Sequence, residues 1–278
     1  APRYVWQVPS PSLAIRMRQT RRALVATGWT IACYLPWLLI APFTLPSRRW
    51  SRRWKSFGTR VWCRGLQAAL GIQAREIGPP PPTPAFLVSN HLSWVDILVL
   101  GARFGPTFVA KQEISGWPVL GHLATAMGNI FVDRGRRRDV VRVLREIDRA
   151  VAEGATIVLF PEGTSSRGDQ VYPLRPALLE WAAQRHHPVH VVALSYGTRA
   201  PGWSAEETVC WWGDRPFGDH LRGVLSIPSV DAVLAFRGTP VTADGRQDLT
   251  VRLHEALTDE LQAAKAALPG ARAPAPQS

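Results

Sequence analysis

The feature that most constrains this chain is a long uncharged apolar run near its start. From Ala23 to Pro46 the sequence contains 24 residues and no charge. A helix rises ~1.5 Å per residue, so this run can cross the ~30 Å hydrocarbon core of a bilayer. No small-residue cleavage site precedes a new polar domain, which argues against a secretory signal peptide. We therefore expect a membrane-anchoring segment rather than a buried core helix.

Basic residues flank this run on both sides. They are Arg16, Arg18, Arg21 and Arg22 before it, and Arg48, Arg49, Arg52, Arg53 and Lys55 after it. A single crossing would place one cluster on the unfavourable side, because cytoplasmic flanks carry the excess of positive charge. A re-entrant hairpin removes this conflict, and Pro36 and Pro42 favour a kink within the run. The sequence leaves open both a single crossing and a re-entrant or monotopic anchor.

The whole chain is strongly basic, with 33 Lys+Arg against 21 Asp+Glu and a formal net charge of +12. Such a charge suits an anionic partner, although arginine-rich coding in a GC-rich genome explains the bias equally well. No RNP, helix-turn-helix or zinc-finger signature is present. We therefore expect anionic membrane lipids as partners, and no nucleic acid. The three cysteines form no CxxC pair, so we expect neither a disulfide framework nor a metal site.

The rest of the chain alternates short apolar runs with longer helical patterns. This alternation predicts an α/β fold, a mixed and largely parallel sheet flanked by helices, behind an N-terminal membrane-anchoring helical segment. The apolar stretches at 208–212 and 230–236 are interpreted as two late strands. We expect four regions: a membrane-anchoring helical region (1–78), a Pro-rich connector (79–84), a catalytic domain (85–266) and a disordered tail (267–278).

A histidine and an aspartate follow the apolar run that ends near Ser89. His91 and Asp96 are five positions apart across a predicted strand-to-helix junction. This spacing allows the carboxylate, in the first helical turn, to fold back toward the imidazole. A carboxylate there fixes one tautomer and leaves the other ring nitrogen to accept a proton from a hydroxyl. An N-cap aspartate beside an incidental histidine is the simpler alternative.

Two more clusters follow predicted strand ends. In the first, Glu162, Gly163 and Thr164 form a turn whose carboxylate and hydroxyl could contact a polar substrate head, and Gly163 would allow close approach. In the second, Arg134 could hold a phosphate with its fork of donors. Reactive residues in α/β sheets gather beyond strand ends, so we expect these groups to lie near His91.

Three motifs in this order resemble those of the lysophospholipid/glycerolipid acyltransferases, in particular the 1-acylglycerol-3-phosphate acyltransferases. They are NHLSWVD (90–96), GNIFVDRG (128–135) and FPEGT (160–164). The resemblance covers roughly Phe86 to Tyr196, and the apolar stretch at 192–194 is similar to the family's fourth motif. Each motif alone is weak, but three in register behind a membrane anchor are specific.

The resemblance implies a role for each candidate residue. His91 would be the general base and Asp96 its orienting partner, while Arg134 and the turn of Glu162, Gly163 and Thr164 would bind the acceptor's phosphate and glycerol. Acyl-CoA or acyl-carrier protein would donate the acyl chain, without a cofactor or metal, because a thioester is already activated. The expected reaction acylates the sn-2 hydroxyl of a lysophospholipid acceptor, 1-acylglycerol-3-phosphate, to phosphatidate. The expected location is the cell inner membrane, with the catalytic domain facing the cytoplasm.

The sequence departs from the family pattern in ways that leave the acceptor open. Ser165 stands where the third motif usually has an arginine, and Ala193 replaces a proline of the fourth motif. Another lysolipid, such as lyso-ornithine lipid, is therefore an alternative acceptor. A non-catalytic basic membrane-binding protein is the alternative of a different class. The segments Trp211-Trp212-Gly213-Asp214 and Asp219-His220-Leu221 resemble a branch feature whose role the sequence does not indicate.

Overall fold

The structure, a computed structural model, describes residues 12–44, 47–133 and 135–269. The helices are α1 (Leu13–Thr44), α2 (Arg48–Leu70), α3 (Val95–Phe104), α4 (Leu120–Ala126), α5 (Arg137–Ala152), α6 (Glu180–Gln184), α7 (Ala205–Thr208), α8 (Phe217–Ser226) and α9 (Arg246–Ala266). The strands are β1 (Ile72–Ile77), β2 (Phe86–Ser89), β3 (Thr107–Lys111), β4 (Ile130–Val132), β5 (Ile157–Leu159), β6 (Val189–Gly197) and β7 (Val230–Phe236).

The seven strands form one sheet in the order β1-β7-β6-β2-β5-β3-β4. Only β6 and β7 pair in antiparallel fashion, and the other neighbours are parallel. The predicted mixed, largely parallel α/β sheet is thus confirmed. Strands β2 to β6 all end at one edge, which we call the carboxyl edge, and begin at the opposite amino edge. Every sequence-predicted site residue follows a strand that ends at the carboxyl edge.

Side chains alternate between the two faces of the sheet, as the pleat of a strand requires. In β2, Phe86 and Val88 join a core covered by α5, α6 and α9, whereas Leu87 joins a core covered by α2, α3 and α8. Both faces are therefore buried, which explains why the central strands consist of uninterrupted apolar residues. Buried strands of this kind give the loops at the carboxyl edge a rigid base.

The N-terminal apolar run forms a helical hairpin with the segment after it. Helix α1 continues through Pro36, and within Leu13–Ile40 its most apolar 18-residue stretch has a mean hydropathy of 1.7, apolar enough to cross a membrane. Trp29 packs onto Gly65 of α2, where an added Cβ would lie 2.0 Å from the indole nitrogen. No part of the most apolar stretch is buried in the protein. An exposed apolar helix of this length fits association with a membrane.

One local prediction was wrong, and one strand was not predicted. Residues 208–212 are not a strand: α7 ends at Thr208, and the backbone N–H of Trp211 donates to Leu92 O in a loop. Their apolar character reflects burial against neighbouring elements rather than pairing in a sheet. Strand β1 (Ile72–Ile77) was not predicted, since its residues are mostly polar and exposed. It pairs with β7 at the edge of the sheet, where a strand needs only one partner.

Candidate active site

The turn between β2 and α3 brings His91 and Asp96 together at the carboxyl edge. His91 Nδ1 lies 2.7 Å from Asp96 Oδ2. The Asp96 side chain is completely buried, whereas 24% of the His91 side chain is exposed. The contact expected from the five-residue spacing is therefore present, with the imidazole open to a substrate and the carboxylate shielded from water.

The Asp96 carboxylate is surrounded by hydrogen-bond donors. Besides His91, Oδ2 accepts the backbone N–H groups of Leu92 (2.7 Å) and Ser93 (3.0 Å), and Oδ1 accepts the hydroxyl of Tyr196 (2.7 Å). An ionised carboxylate only accepts, so His91 Nδ1 carries the proton and Nε2 is the ring's free acceptor. Burial first, then the charge of Asp96, raises the pKa of Tyr196 well above its usual value, so that its hydroxyl remains a donor.

Glu162 supports the backbone of the same loop from the neighbouring strand. It follows β5, is only 2% exposed, and accepts the backbone N–H groups of His91 and Tyr172, each at 2.8 Å. Burial raises the pKa of Glu162 to about 7, even though both hydrogen bonds oppose that shift. Gly163 has a φ of 76° and turns the chain, while Thr164 is exposed. Within this turn, Glu162 contacts the loop that carries His91.

Three further contacts fix the orientation of the histidine. Asn90 exchanges two hydrogen bonds with the backbone of Leu194 in β6, at 3.0 and 2.7 Å. The backbone N–H of Ser166 donates to His91 O at 2.8 Å. The His91 ring stacks on Phe160, with centroids 4.3 Å apart and planes at 24°. The loop is thus held by both strands that flank β2, namely β5 and β6.

Arg134 lies outside the described residues, so its guanidinium has no described position. The adjoining residues follow β4 at the carboxyl edge, where Asp133 N donates to Asp139 Oδ2 (2.6 Å) and Gly135 N donates to Asp133 Oδ1 (3.0 Å). No group of three His, Cys, Asp or Glu side chains that could hold a metal ion occurs among the described residues.

Tyr196 and the role of Asn90 were not predicted. Tyr196 lies near the end of β6, beside β2, and both strands end at the carboxyl edge. Its place at the end of an apolar stretch was visible in the sequence, but that stretch does not show which strand it pairs with. Asn90 was part of a quoted motif, but both of its hydrogen bonds go to Leu194 of β6, 104 positions later in the chain.

Comparisons with known proteins agree with this geometry. The family model described as Acyltransferase matches residues 74–197. A lyso-ornithine lipid O-acyltransferase of Brucella abortus (strain 2308) is 35% identical over 211 residues, which cover 72% of this chain and 77% of the relative. The chain belongs to the acyltransferase family. This acyltransferase is therefore an enzyme of lipid metabolism, and the family resemblance inferred from its motifs is confirmed.

Two other proteins extend the comparison. A 1-acyl-sn-glycerol-3-phosphate acyltransferase of Neisseria meningitidis serogroup B is 36% identical over 135 residues, 48% of this acyltransferase and 53% of the relative. The crystal structure of the 1-acyl-sn-glycerophosphate (LPA) acyltransferase, PlsC, from Thermotoga maritima matches with a TM-score of 0.70 at 18% identity, covering 94% of this chain and 100% of that one. The acyltransferase therefore has the PlsC fold.

Proposed function

We propose that this acyltransferase transfers a fatty acyl chain from a thioester to a hydroxyl of a lysolipid at the membrane, with His91 as the general base. The observation that supports it most is the contact between His91 Nδ1 and Asp96 Oδ2 at 2.7 Å, beside a carboxylate otherwise surrounded by donors. This arrangement holds the imidazole in one tautomer and can stabilise the imidazolium that forms during the reaction.

The proposed reaction is a direct transfer. His91 Nε2 takes the proton of the acceptor hydroxyl while its oxygen attacks the thioester carbonyl carbon. The tetrahedral intermediate then collapses, the carbon–sulfur bond breaks, and the leaving thiolate takes the proton from Nε2. The products are an ester and a free thiol, so the step balances without a cofactor or metal. Acyl-CoA and acyl-carrier protein are both donors of the required chemistry.

Lyso-ornithine lipid is the acceptor that we propose. Two lyso-ornithine lipid O-acyltransferases, of Brucella abortus and Rhizobium meliloti, match 72% and 81% of this chain, whereas the Neisseria 1-acyl-sn-glycerol-3-phosphate acyltransferases match 48%. Ser165 replaces the arginine of the third motif, and its hydroxyl donates to Trp211 O. The nearby Arg167 pairs through Nε with Glu206 and lies 5.2 Å over the ring of Trp212, so its guanidinium already has two partners within the protein.

The second candidate acceptor is 1-acylglycerol-3-phosphate, favoured by the 36% identity to the Neisseria protein. It requires a phosphate ligand, and Arg134 of the GNIFVDRG motif is the residue we assign to it. Thr164 and Gly163 would then line the glycerol, as the motif resemblance implies. A lysolipid without phosphate does not need Arg134, so the two candidates differ in their sensitivity to Arg134→Gln.

We also propose that α1 enters one leaflet rather than crossing the bilayer. Its contacts with the rest of the protein extend from Arg18, bonded to Ser226 O, to Trp37, which packs on Gly58 of α2. This docked length is roughly 28 Å at ~1.5 Å per residue. Beyond Trp37 the structure describes seven residues of α1, roughly 10 Å of helix, against a hydrocarbon core of ~30 Å. The exposed arginines of both flanks, Arg16 and Arg21 before the run and Arg49 and Arg53 after it, can then face anionic membrane lipids.

The deciding experiment is an acceptor panel. The full chain, purified in detergent, is given radiolabelled acyl-CoA or acyl-carrier protein with lyso-ornithine lipid, 1-acylglycerol-3-phosphate or lysophosphatidylcholine. We expect ester formation with lyso-ornithine lipid and none from His91→Ala. Faster acylation of 1-acylglycerol-3-phosphate would reassign the acceptor. If no lysolipid is acylated, the proposed function is wrong. The alternative is then a non-catalytic membrane-binding protein. Such a protein would bind vesicles in a salt-sensitive way, and His91→Ala would leave that binding intact.

A further inference from the structure

The segment from Ala205 to Ser226 contains the aromatic motif that the proposed chemistry does not use. It comprises α7, a loop and α8, and it packs beside residues 91–96, which we call the catalytic loop. Trp211 makes the first contact, because its backbone N–H donates to Leu92 O at 2.7 Å. Its indole N–H donates to Arg215 O at 2.8 Å, which fixes the ring within the segment.

His220 of α8 makes the second contact with the catalytic loop. It is completely buried, and its Nδ1 accepts the indole N–H of Trp94 at 2.9 Å. Its Nε2 lies 3.0 Å from Val209 O, a group that only accepts, so Nε2 carries the proton. The ring also stacks on Trp211, with centroids 5.7 Å apart and planes at 29°. His220 is thereby fixed by three different neighbours.

The contact with Trp94 requires a neutral His220, because a protonated Nδ1 could not accept a hydrogen bond. Burial, and second the positive charge of Arg215, lower the pKa of His220 to about 4. Arg215 is itself buried and donates to the backbone oxygens of Glu207 and Asp219. The ring therefore stays neutral at ordinary pH, and the hydrogen bond to Trp94 is permanent.

The carboxyl end of α8 is held by hydrogen bonds from α1. Arg22 of α1 is buried and donates to Ile227 O (2.5 Å) and Pro228 O (2.8 Å), just beyond the carboxyl end of α8. Gln19 donates to Ser226 Oγ at 2.6 Å. Arg22 also donates to Val224 O and Leu225 O, each at 3.3 Å, which are carbonyls that the end of a helix leaves without partners. A helix held at its end offers His220 a fixed base.

We infer that His220 is a positioning residue that, through Trp94, holds the catalytic loop in the geometry required for transfer. Glu162 and Ser166 hold this loop from one side at His91, and α8 holds it from the other at Trp94. His220 itself does not touch the reacting atoms. The inferred effect on kcat rests on the proposed function, whereas the inferred effect on the structure of the catalytic loop does not. A small displacement of a catalytic group is sufficient to slow a reaction without weakening binding.

The test replaces His220 by a ring of similar shape that makes no hydrogen bond. We expect His220→Phe to lower kcat about tenfold, with the KM of donor and acceptor changed by less than about twofold. His220→Gln, which can still accept from Trp94 and donate to Val209 O, should restore most of kcat. The matched control is His187→Phe, whose ring packs edge-on against Trp181 at 4.9 Å near the amino edge. It should leave kcat unchanged.

A double-mutant cycle and an activity-free measurement complete the test. Trp94→Phe in the His220→Phe background should lower kcat no further, because the hydrogen bond is already lost. Amide hydrogen exchange of a peptide covering residues 91–96 should be faster in His220→Phe than in wild type, and unchanged in His187→Phe.

Unchanged amide exchange together with an unchanged kcat in His220→Phe would overturn the inference. Equal losses of kcat in His220→Phe and His220→Gln would also overturn it, as would additive losses of kcat in the double mutant. A wild-type protein that acylates no lysolipid would refute the proposed function instead. Faster exchange in the loop of His220→Phe would still support the positioning of the loop in that event.

Discussion

Two glutamates at opposite edges of the sheet, the buried Glu162 and the partly buried Glu153, are held in opposite ways. At the carboxyl edge, Glu162 accepts two neutral backbone N–H groups, and burial raises its pKa to about 7. At the amino edge, Glu153 lies 2.8 Å from Arg52 and 3.5 Å from Arg48. Burial opposes ionisation of Glu153 too, but these arginines outweigh it and leave its pKa below the usual value. Ionisation of Glu162 at the carboxyl edge therefore reduces stability, whereas ionisation of Glu153 at the amino edge does not.

The same difference extends to the two regions around these residues. We call α1, α2 and the residues that they contact, including Glu153, the hairpin side. There, arginines meet carbonyls at helix ends: Arg22 lies beyond the end of α8, and Arg64 Nε donates to Ala102 O near the end of α3. Cations at a helix carboxyl end are favourable. A share of the positive charge that suggested an anionic partner therefore serves contacts within the protein.

The largest effect is expected at the carboxyl edge from Asp96→Asn. An amide nitrogen cannot accept the N–H and O–H groups that surround the Asp96 side chain, so the His91 tautomer and orientation are lost. We expect kcat to fall about 10³-fold or more, measured as ester formation per mole of folded enzyme. The control is Asp231→Asn, a buried aspartate of β7 that pairs with Arg199 at 2.8 Å. More than about a tenth of wild-type kcat in Asp96→Asn would contradict the proposed role.

The contact between His91 and Asp96 could be predicted from the sequence because the two residues are close together in the chain. His91 and Asp96 are joined by one strand-to-helix turn, so their contact depends on a few backbone angles. Tyr196, 100 positions after Asp96, reaches the same carboxylate only through the pairing of β2 with β6, where Ser89 lies opposite Val192. That register is set by the whole sheet and leaves no local signal.

Other features escaped prediction for a related reason. Strand β1 is polar, and its place at the sheet edge depends on β7, more than 150 positions later. Residues 208–212 are apolar because they pack near the catalytic loop, and an apolar run does not distinguish such a loop from a strand. The packing of α1 against α2 was not predicted, because the hairpin considered from the sequence had its kink within the apolar run, whereas α1 continues through Pro36. The register between α1 and α2 depends on which α2 glycine each α1 tryptophan packs against.

The second prediction separates the two edges by pH. Glu162 has a folded pKa of about 7, above the value of 4.5 for an unperturbed glutamate. Its contribution to stability is fully present below pH 4.5 and is lost as pH rises through 7. Wild type should therefore lose about 3 kcal/mol of unfolding free energy relative to Glu162→Gln over that window. Thermal unfolding in detergent at several pH values measures this difference.

Glu153→Gln is the matched control for that experiment, with the opposite sign. The folded pKa of Glu153 is depressed, so its contribution is present above pH 4.5 and is lost as pH falls through the folded pKa. Wild type should lose stability relative to Glu153→Gln only on acidification below about pH 4.5. If the stability difference from wild type changed with pH in the same direction for both variants, the proposed difference between the two edges would be contradicted.

The third prediction concerns packing on the hairpin side. In Gly65→Ala the new methyl group would overlap the ring of Trp29, which must move away from α2. We expect a loss of about 1–3 kcal/mol in unfolding free energy, with kcat per folded molecule unchanged. Gly28→Ala is the control on α1, because an added Cβ there meets nothing within 4 Å. It should stabilise the helix by about 0.5–1 kcal/mol. A Gly65→Ala enzyme of normal stability and reduced kcat would contradict this assignment.

The smallest effect, and the sharpest contrast, is expected from two tyrosine hydroxyls. Tyr196→Phe removes the donor to Asp96 Oδ1 and leaves that buried oxygen without a partner, so we expect kcat to fall about tenfold with KM unchanged. Tyr34→Phe removes the hydroxyl that contacts His122 on the hairpin side, and it should leave kcat unaltered. Steady-state kinetics on both variants measures the difference. Equal kcat losses from the two would mean that the hairpin side also controls the chemistry, because a hydroxyl distant from Asp96 would then matter as much as one that touches it.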